Sequence, residues 1–132
     1  MPTFTPLFLT VEQVERIHRS MVEAFGGLDG LRDAGLLASA AAMPQAAYGG
    51  EWLHADLFEM AAACLFHLVK NHPYLDGNKR VGAACALVFL DLNGVAVEAD
   101  EDGVVEITLR AATGSADKKD IAAFLRSLAR PG

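Results

Sequence analysis

The sequence lacks any apolar run long enough to cross a bilayer. Its longest stretches, such as Val81 to Leu90, fall far short of the roughly 20 residues a helical span requires. It also lacks an excess of positive charge: 11 Lys and Arg stand against 17 Asp and Glu, for a net charge of −6. Nucleic acid favours clustered cations, so it is a poor partner for such a surface, although a local basic cluster can still hold a small anion. Cysteine is scarce. Cys64 and Cys85 sit inside apolar runs with no Cys or His at metal-ligand spacing, which argues against a metal motif and for two buried thiols. The start, Met1-Pro2-Thr3-Phe4, has neither the basic residues nor the apolar stretch of a signal peptide. Repeats, low-complexity tracts and linkers are absent too. The reading is a cytoplasmic, soluble chain, residues 1–132 forming one domain large enough for one core.

What is present is helix. Hydrophobic residues make up 52% and mean hydropathy is +0.26, much of it alanine, which suits closely packed helices. Thr10 reads as an N-cap, Gln13 completes a capping box, and Leu9 with Val14 can form a hydrophobic staple. Val14, Ile17, Met21, Val22 and Phe25 then fall on one helical face, ended by Gly26-Gly27. Asp33 can cap a second helix running to Met43, before Pro44. Gln45 to Leu53 reads as a loop hinged at Gly49-Gly50. Asp56 with Glu59 caps a third helix, Leu57 to about Asn71, apolar nearly all round and therefore central. Pro73 stops it. A fourth runs from near Asn78 to Leu92, ended by Asn93-Gly94, and its Gly82, Ala83, Ala84 and Ala86 permit close helix approach. Val105, Ile107, Leu109 and Ala111 alternate with polar residues as a strand would; the segment is assigned to helix because pairing partners are hard to find. Ile121, Phe124, Leu125 and Leu128 mark the last helix, capped by Asp117 or Ser115. The fold class is all-α: a compact single-domain helical bundle.

The chemistry lies in His72-Pro73-Tyr74-Leu75-Asp76-Gly77-Asn78-Lys79-Arg80, between the two most apolar helices and at the start of the second. A helix start offers unpaired N–H groups and the positive end of a dipole, a ready anion site. Gly77 lets a ligand approach the backbone. Lys79 and Arg80 add cations there. Each alone has an ordinary reading: a capping histidine, an Asp-Gly turn, a solvated basic face that slightly opposes the dipole. Their conjunction favours a phosphate site. Asp76 supplies one carboxylate, enough for Mg²⁺ beside phosphate oxygens. His72 has the only side chain here that ordinarily titrates near neutrality, and can take a proton from a hydroxyl nucleophile. Positioned phosphates, a metal and a base are what phosphoryl transfer needs.

This stretch resembles the signature of the Fic/Doc superfamily, His-Pro-Phe-x-Asp/Glu-Gly-Asn-Gly-Arg, and specifically its death-on-curing (Doc) branch, which carries Lys where Fic proteins carry the second Gly. Lys79 stands at that position, and Tyr74 replaces the usual Phe. The resemblance extends over Phe8-Leu9-Thr10, Gly30 to Leu37, Asp56-Leu57-Phe58, and Asn71 through Asn93-Gly94. It implies a helical fold around the motif and a toxin of a type II toxin–antitoxin system that acts as a protein Ser/Thr kinase, with ATP as co-substrate and Mg²⁺ as metal.

By resemblance, His72 is the general base, Asp76 holds Mg²⁺, and Gly77, Asn78, Lys79 and Arg80 hold the nucleotide phosphates. Tyr74 packs inward, and Gln45 to Leu53 is a flap that aligns the target. Lys79 would occupy the space that Fic enzymes leave for AMP transfer, so the nucleotide binds reversed and the γ-phosphate is moved. The family's target is elongation factor Tu, and translation stops. No Ser or Thr has Glu four residues later, so the self-restraining helix of many Fic proteins is missing and a Phd-type antitoxin is the expected partner. AMP transfer and a non-catalytic, antitoxin-binding module are the competing readings. Arg32 and Asp33 are expected to form a salt bridge or cap.

Overall fold

The computed structural model describes residues 5–131; the Met1–Phe4 start lies outside them. Six α-helices form the body: α1 (Val11–Phe25), α2 (Ala34–Ala42), α3 (Leu57–Asn71), α4 (Asn78–Leu92), α5 (Glu101–Thr113) and α6 (Lys118–Ser127). The all-α expectation holds. No helix among the described residues is long and apolar enough to cross a membrane.

The helix starts follow the sequence's capping signals. Thr10 and Gln13 form a reciprocal capping box on α1, and Asp117 and Asp120 form another on α6. Asp33, Asp56 and Asp100 each accept a backbone N–H at the starts of α2, α3 and α5. Each such cap contributes about 1 kcal/mol.

Helix α3 is the axis of the fold. Met60 through Leu65, Leu68 and Val69 are buried, and the helix packs against α2, α4, α5 and α6. Its closest neighbour is α4. A Cβ on Gly82 would lie 2.9 Å from Val69 Cγ2 and 3.2 Å from the Leu65 carbonyl oxygen, so the small-residue stripe does bring two backbones together. Cys64 and Cys85 are buried free thiols. Burial pushes the Cys64 thiol up to about 12 and raises Cys85 well above its ordinary value, which keeps both protonated.

Three sequence expectations are corrected. The Val105–Ala111 alternation belongs to α5, as assigned, but a strand pair does exist. It lies inside the Gln45–Leu53 segment read as a loop: β1 (Ala47–Tyr48) pairs antiparallel with β2 (Glu51–Trp52). Gly49 and Gly50, at φ +60° and +82°, supply the two positive φ angles that a tight hairpin turn demands. Trp52 anchors this hairpin, edge-on to Phe8 at 5.3 Å, and Phe8 stacks on the core residue Phe89 at 5.9 Å.

Phe25, placed by periodicity on the buried face, is 62% exposed. The chain turns away at Gly26, and the Arg80 guanidinium lies over the Phe25 ring at 5.0 Å. Helix α2 ends at Ala42, and Met43–Gln45 tightens into a 3₁₀ turn with Pro44 buried inside it. Arg32 makes no ion pair among the described residues and acts instead as the cap that was its other expected role, at the site below.

Where the segment between β2 and α3 meets α3 and α6, three basic side chains converge. The Lys118 ammonium lies 3.2 Å from His54 Nε2 and 3.1 Å from His67 Nε2. Both imidazoles are therefore acceptors at these nitrogens, which requires them to be neutral. Burial first, then Lys118, holds His67 down to about 4, and the same two causes lower His54 despite the opposing pull of Glu59. A histidine with a lowered folded pKa binds fewer protons when folded, so stability rises with pH between the folded and unfolded values. The urea midpoint is expected to be level above pH 7 and to fall as pH drops from about 6.5 toward 4. His67→Gln should flatten that slope; an equally steep slope in the variant contradicts the assignment.

Candidate active site

The segment His72–Arg80 crosses from the end of α3 to the start of α4. Its backbone is held by the α1–α2 connector, residues 26–33. The Pro73 carbonyl accepts from the N–H groups of Arg32 (2.7 Å) and Asp33 (3.0 Å), and the Leu75 N–H donates to the Gly30 carbonyl (3.0 Å). Leu31 and Tyr74 form an isolated antiparallel bridge. The connector thus runs beside the motif as a short second strand.

His72 is the C-cap of α3, with φ +52° and ψ +55°. It is the one non-glycine among the described residues with positive φ. A left-handed conformation costs such a residue roughly 1–2 kcal/mol. Arg32 offsets it: Arg32 Nε donates to the His72 carbonyl at 2.6 Å and its terminal nitrogen to the Asn71 carbonyl at 2.9 Å. Hydrogen bonds from a charged donor are worth about 1.5–3 kcal/mol each, less where exposed, so two of them are enough to fix the turn. Arg32 is thus a cap for α3, and Asp33, as expected, caps α2. The turn leaves the His72 side chain exposed, lining a cleft of about 470 Å³ with Leu75, Asp76, Gly77, Asn78, Lys79 and Arg80.

Tyr74 packs inward at 3% exposure, and its ring stacks on buried His18 with centroids 3.6 Å apart and planes within 5°. Its hydroxyl has no hydrogen-bond partner among the described residues. Burial raises its pKa, so the hydroxyl stays protonated. Asn78 is also buried. Its side-chain amide closes on the loop, accepting from the Tyr74 N–H at 2.9 Å and donating to the Tyr74 carbonyl at 3.0 Å. The Asn78 side chain is therefore committed to bracing the loop, and what it can present to a ligand is its backbone N–H.

The Asp76 carboxylate is exposed and oriented by two backbone N–H groups: Leu28 donates to Oδ2 at 3.2 Å and Gly77 to Oδ1 at 2.8 Å. The Leu28 hydrogen bond, then that of Gly77, lowers its pKa, with Arg80 and His18 helping. It is an ionised carboxylate with lone pairs left for a hard cation.

Helix α4 begins at Gly77, in the left-handed region at φ +78°. Unlike the other five α-helices, it has no side-chain cap, and it carries no acidic residue in its first turn. Instead Lys79 and Arg80, both exposed, stand there. A helix start with open N–H groups and two added cations is built for an anion. The structure brings His72, Asp76, Gly77, Asn78, Lys79 and Arg80 to one cleft. Sequence reasoning missed His18 and the Gly27-Leu28 contact with Asp76; it named Arg32 as a salt-bridge or cap residue without the carbonyls it caps. A histidine within an otherwise apolar helical face was the available signal for His18.

Residues 8–90 match the Fic/DOC family. The chain is 43% identical over 108 residues to the protein named Toxin Doc from Mycolicibacterium smegmatis, covering 80% of this chain and 83% of that one. It is 33% identical over 120 residues to the protein named Protein kinase doc from Escherichia phage P1, covering 91% and 94% respectively. With the signature folded into one cleft and these matches spanning most of its length, the chain belongs to the Fic/DOC family, on its Doc branch.

Proposed function

We propose that this chain is the toxin of a type II toxin–antitoxin pair and a protein kinase. It would move the γ-phosphate of ATP to a Ser or Thr hydroxyl of a translation protein in the cytoplasm, elongation factor Tu by resemblance. The observation that carries this reading is the uncapped start of α4, facing the same cleft as His72 and the ionised Asp76. The names of the two relatives, a toxin and a protein kinase, support it.

In this reading the first N–H groups of α4, with Lys79 and Arg80, hold the triphosphate. Lys79, where Fic proteins carry Gly, favours the orientation that turns the γ-phosphate toward His72. Asp76 fits a Mg²⁺ ion because its carboxylate is ionised, pre-oriented and beside the phosphate cradle; the ion, when bound, would neutralise phosphate charge. His72 takes the proton from the target hydroxyl as its oxygen forms a bond to the γ-phosphorus. The bond from that phosphorus to the β–γ bridging oxygen breaks, and ADP leaves. The hairpin β1–β2, whose Tyr48 is 87% exposed, is the flap that aligns the target.

The antitoxin, of Phd type, would dock along α5. Three hollows adjoin there. One of about 670 Å³ is lined by Phe25, Leu87, Val97 and Val104 among others, one of about 270 Å³ by Ala83, Thr108 and Leu109, and one of about 360 Å³ by Leu109 and Thr113. Val105 lines all three, and Arg80 lines the first two as well as the catalytic cleft. A segment seated there would touch a phosphate-binding cation, which gives neutralisation a direct route.

Incubating the protein with elongation factor Tu, ATP and Mg²⁺ should add the mass of one phosphate. His72→Ala should lower the rate by about 10²–10⁴. Addition of one AMP would replace the kinase reading with AMP transfer, and no addition to this target would remove the named substrate. For the groove, Val105→Glu should keep phosphotransfer and lose tenfold or more in affinity for the co-expressed antitoxin, read by titration calorimetry. Unchanged affinity would move the docking surface elsewhere.

A further inference from the structure

His18 is a polar side chain in a place where α1 would otherwise present an aliphatic one. It follows Val14 by one helical turn, is 1% exposed, and lies in the middle of the helix rather than at its end. A buried imidazole is retained at such a position when its polar atoms have work there. Its Nε2 lies 2.8 Å from the Asp76 carbonyl oxygen. A carbonyl only accepts, so Nε2 carries the proton and His18 is the donor. The other nitrogen, Nδ1, faces the exposed Asp29 carboxylate at 4.0 Å. The ring also stacks on Tyr74, and a Cβ on Gly77 would lie 3.4 Å from Nε2. His18 is therefore the floor beneath three parts of the motif: the Tyr74 ring, the Asp76 peptide and the Gly77 backbone.

The other side of Asp76 is held by the connector. Leu28 binds Oδ2, and Gly27, at φ +109°, leaves space that a side chain would take: a Cβ there would lie 2.7 Å from Asp76 Oδ2. Asp76 is thus gripped at its carbonyl by α1 and at its carboxylate by the α1–α2 connector. Neither contact is part of the His72–Arg80 segment.

We propose that His18 is a positioning residue for Asp76: by holding the Asp76 carbonyl it sets the orientation of the carboxylate toward a divalent cation. This rests on the Mg²⁺–triphosphate reading of the cleft. The role differs from general support of the core, because it acts on one backbone carbonyl through one N–H. His18→Phe keeps a flat ring to stack on Tyr74 and removes the donor; His18→Gln keeps a donor and removes the ring. Gly27→Ala disturbs the same carboxylate from the opposite side and leaves α1 intact.

The test combines two measurements on the full chain. First, nitrogen-15 NMR of the ligand-free protein should find His18 as the Nε2–H tautomer with that proton slow to exchange. The Nδ1–H tautomer overturns the proposal without touching the kinase reading. Second, calorimetry should follow ATP binding as a function of Mg²⁺ concentration, beside thermal melts. His18→Phe should raise the half-saturating Mg²⁺ concentration about tenfold while leaving Mg²⁺-free ATP binding within twofold and the folded state intact. His18→Gln should recover part of the loss. If His18→Phe does not fold, Gly27→Ala should give the same Mg²⁺ signature. A wild-type Mg²⁺ requirement in every variant that folds reduces His18 to packing. A chain that binds no Mg²⁺–ATP in the wild type overturns the cleft assignment, and the positioning role with it.

Discussion

The structure depends on a short run of backbone pairing between the α1–α2 connector and the segment that joins α3 to α4. The Pro73 carbonyl takes two connector N–H groups, and Leu75 returns one to Gly30. Proline has no N–H to give, so the loop's hold at this point is through its carbonyl. Without that pairing, the six conformationally demanding residues from His72 to Gly77 would hang between two buried helices. With it, the His72 turn, the inward Tyr74 and the start of α4 are set by one strip of main chain. The remaining side chains reinforce the same strip: Arg32 at the His72 carbonyl, Asn78 across Tyr74, His18 beneath Asp76.

Once the backbone is fixed, the electrostatics follow. Five α-helices close their starts with their own side chains, and α4 leaves its start open and adds Lys79 and Arg80. That arrangement is unfavourable for an isolated helix, since cations oppose the N-terminal dipole, and becomes favourable when an anion is bound. The chain carries a net charge of −6, so this positive pocket is a local exception on an acidic molecule. A local arrangement that costs stability in the free protein and would gain it back from a bound anion is a pattern expected at functional sites.

Much of this was legible in the residues. The caps at Thr10, Asp33, Asp56 and Asp117 and the stop at Asn93-Gly94 place helix ends by local chemistry, and local chemistry is what a sequence displays. The α5 alternation misleads because period-two spacing of Val105, Ile107 and Leu109 describes exposed and buried residues alike: Val105 and Leu109 are exposed while Ile107 is buried. The hairpin at Ala47–Trp52 was hidden because two residues per strand are too few to set a period. Phe25 is the last residue of α1, where the chain turns away at Gly26, so its helical face has little left to pack against, and its ring contact is with an Arg80 guanidinium distant in sequence. His18, Gly27 and Arg32 act on the motif across roughly 40 to 60 positions of chain, and no local pattern encodes such a contact. The cleft residues themselves lie close together in sequence, which is why they could be named as a group.

The central claim is that the open start of α4 holds a triphosphate whose terminal phosphate faces His72. A crystal structure of the chain with Mg²⁺ and a non-hydrolysable ATP analogue tests it most directly. The account predicts phosphate oxygens on the first N–H groups of α4, Mg²⁺ against Asp76, and the γ-phosphate as the group nearest the His72 imidazole. A nucleotide bound with its α-phosphate nearest His72, or seated away from α4, would contradict it.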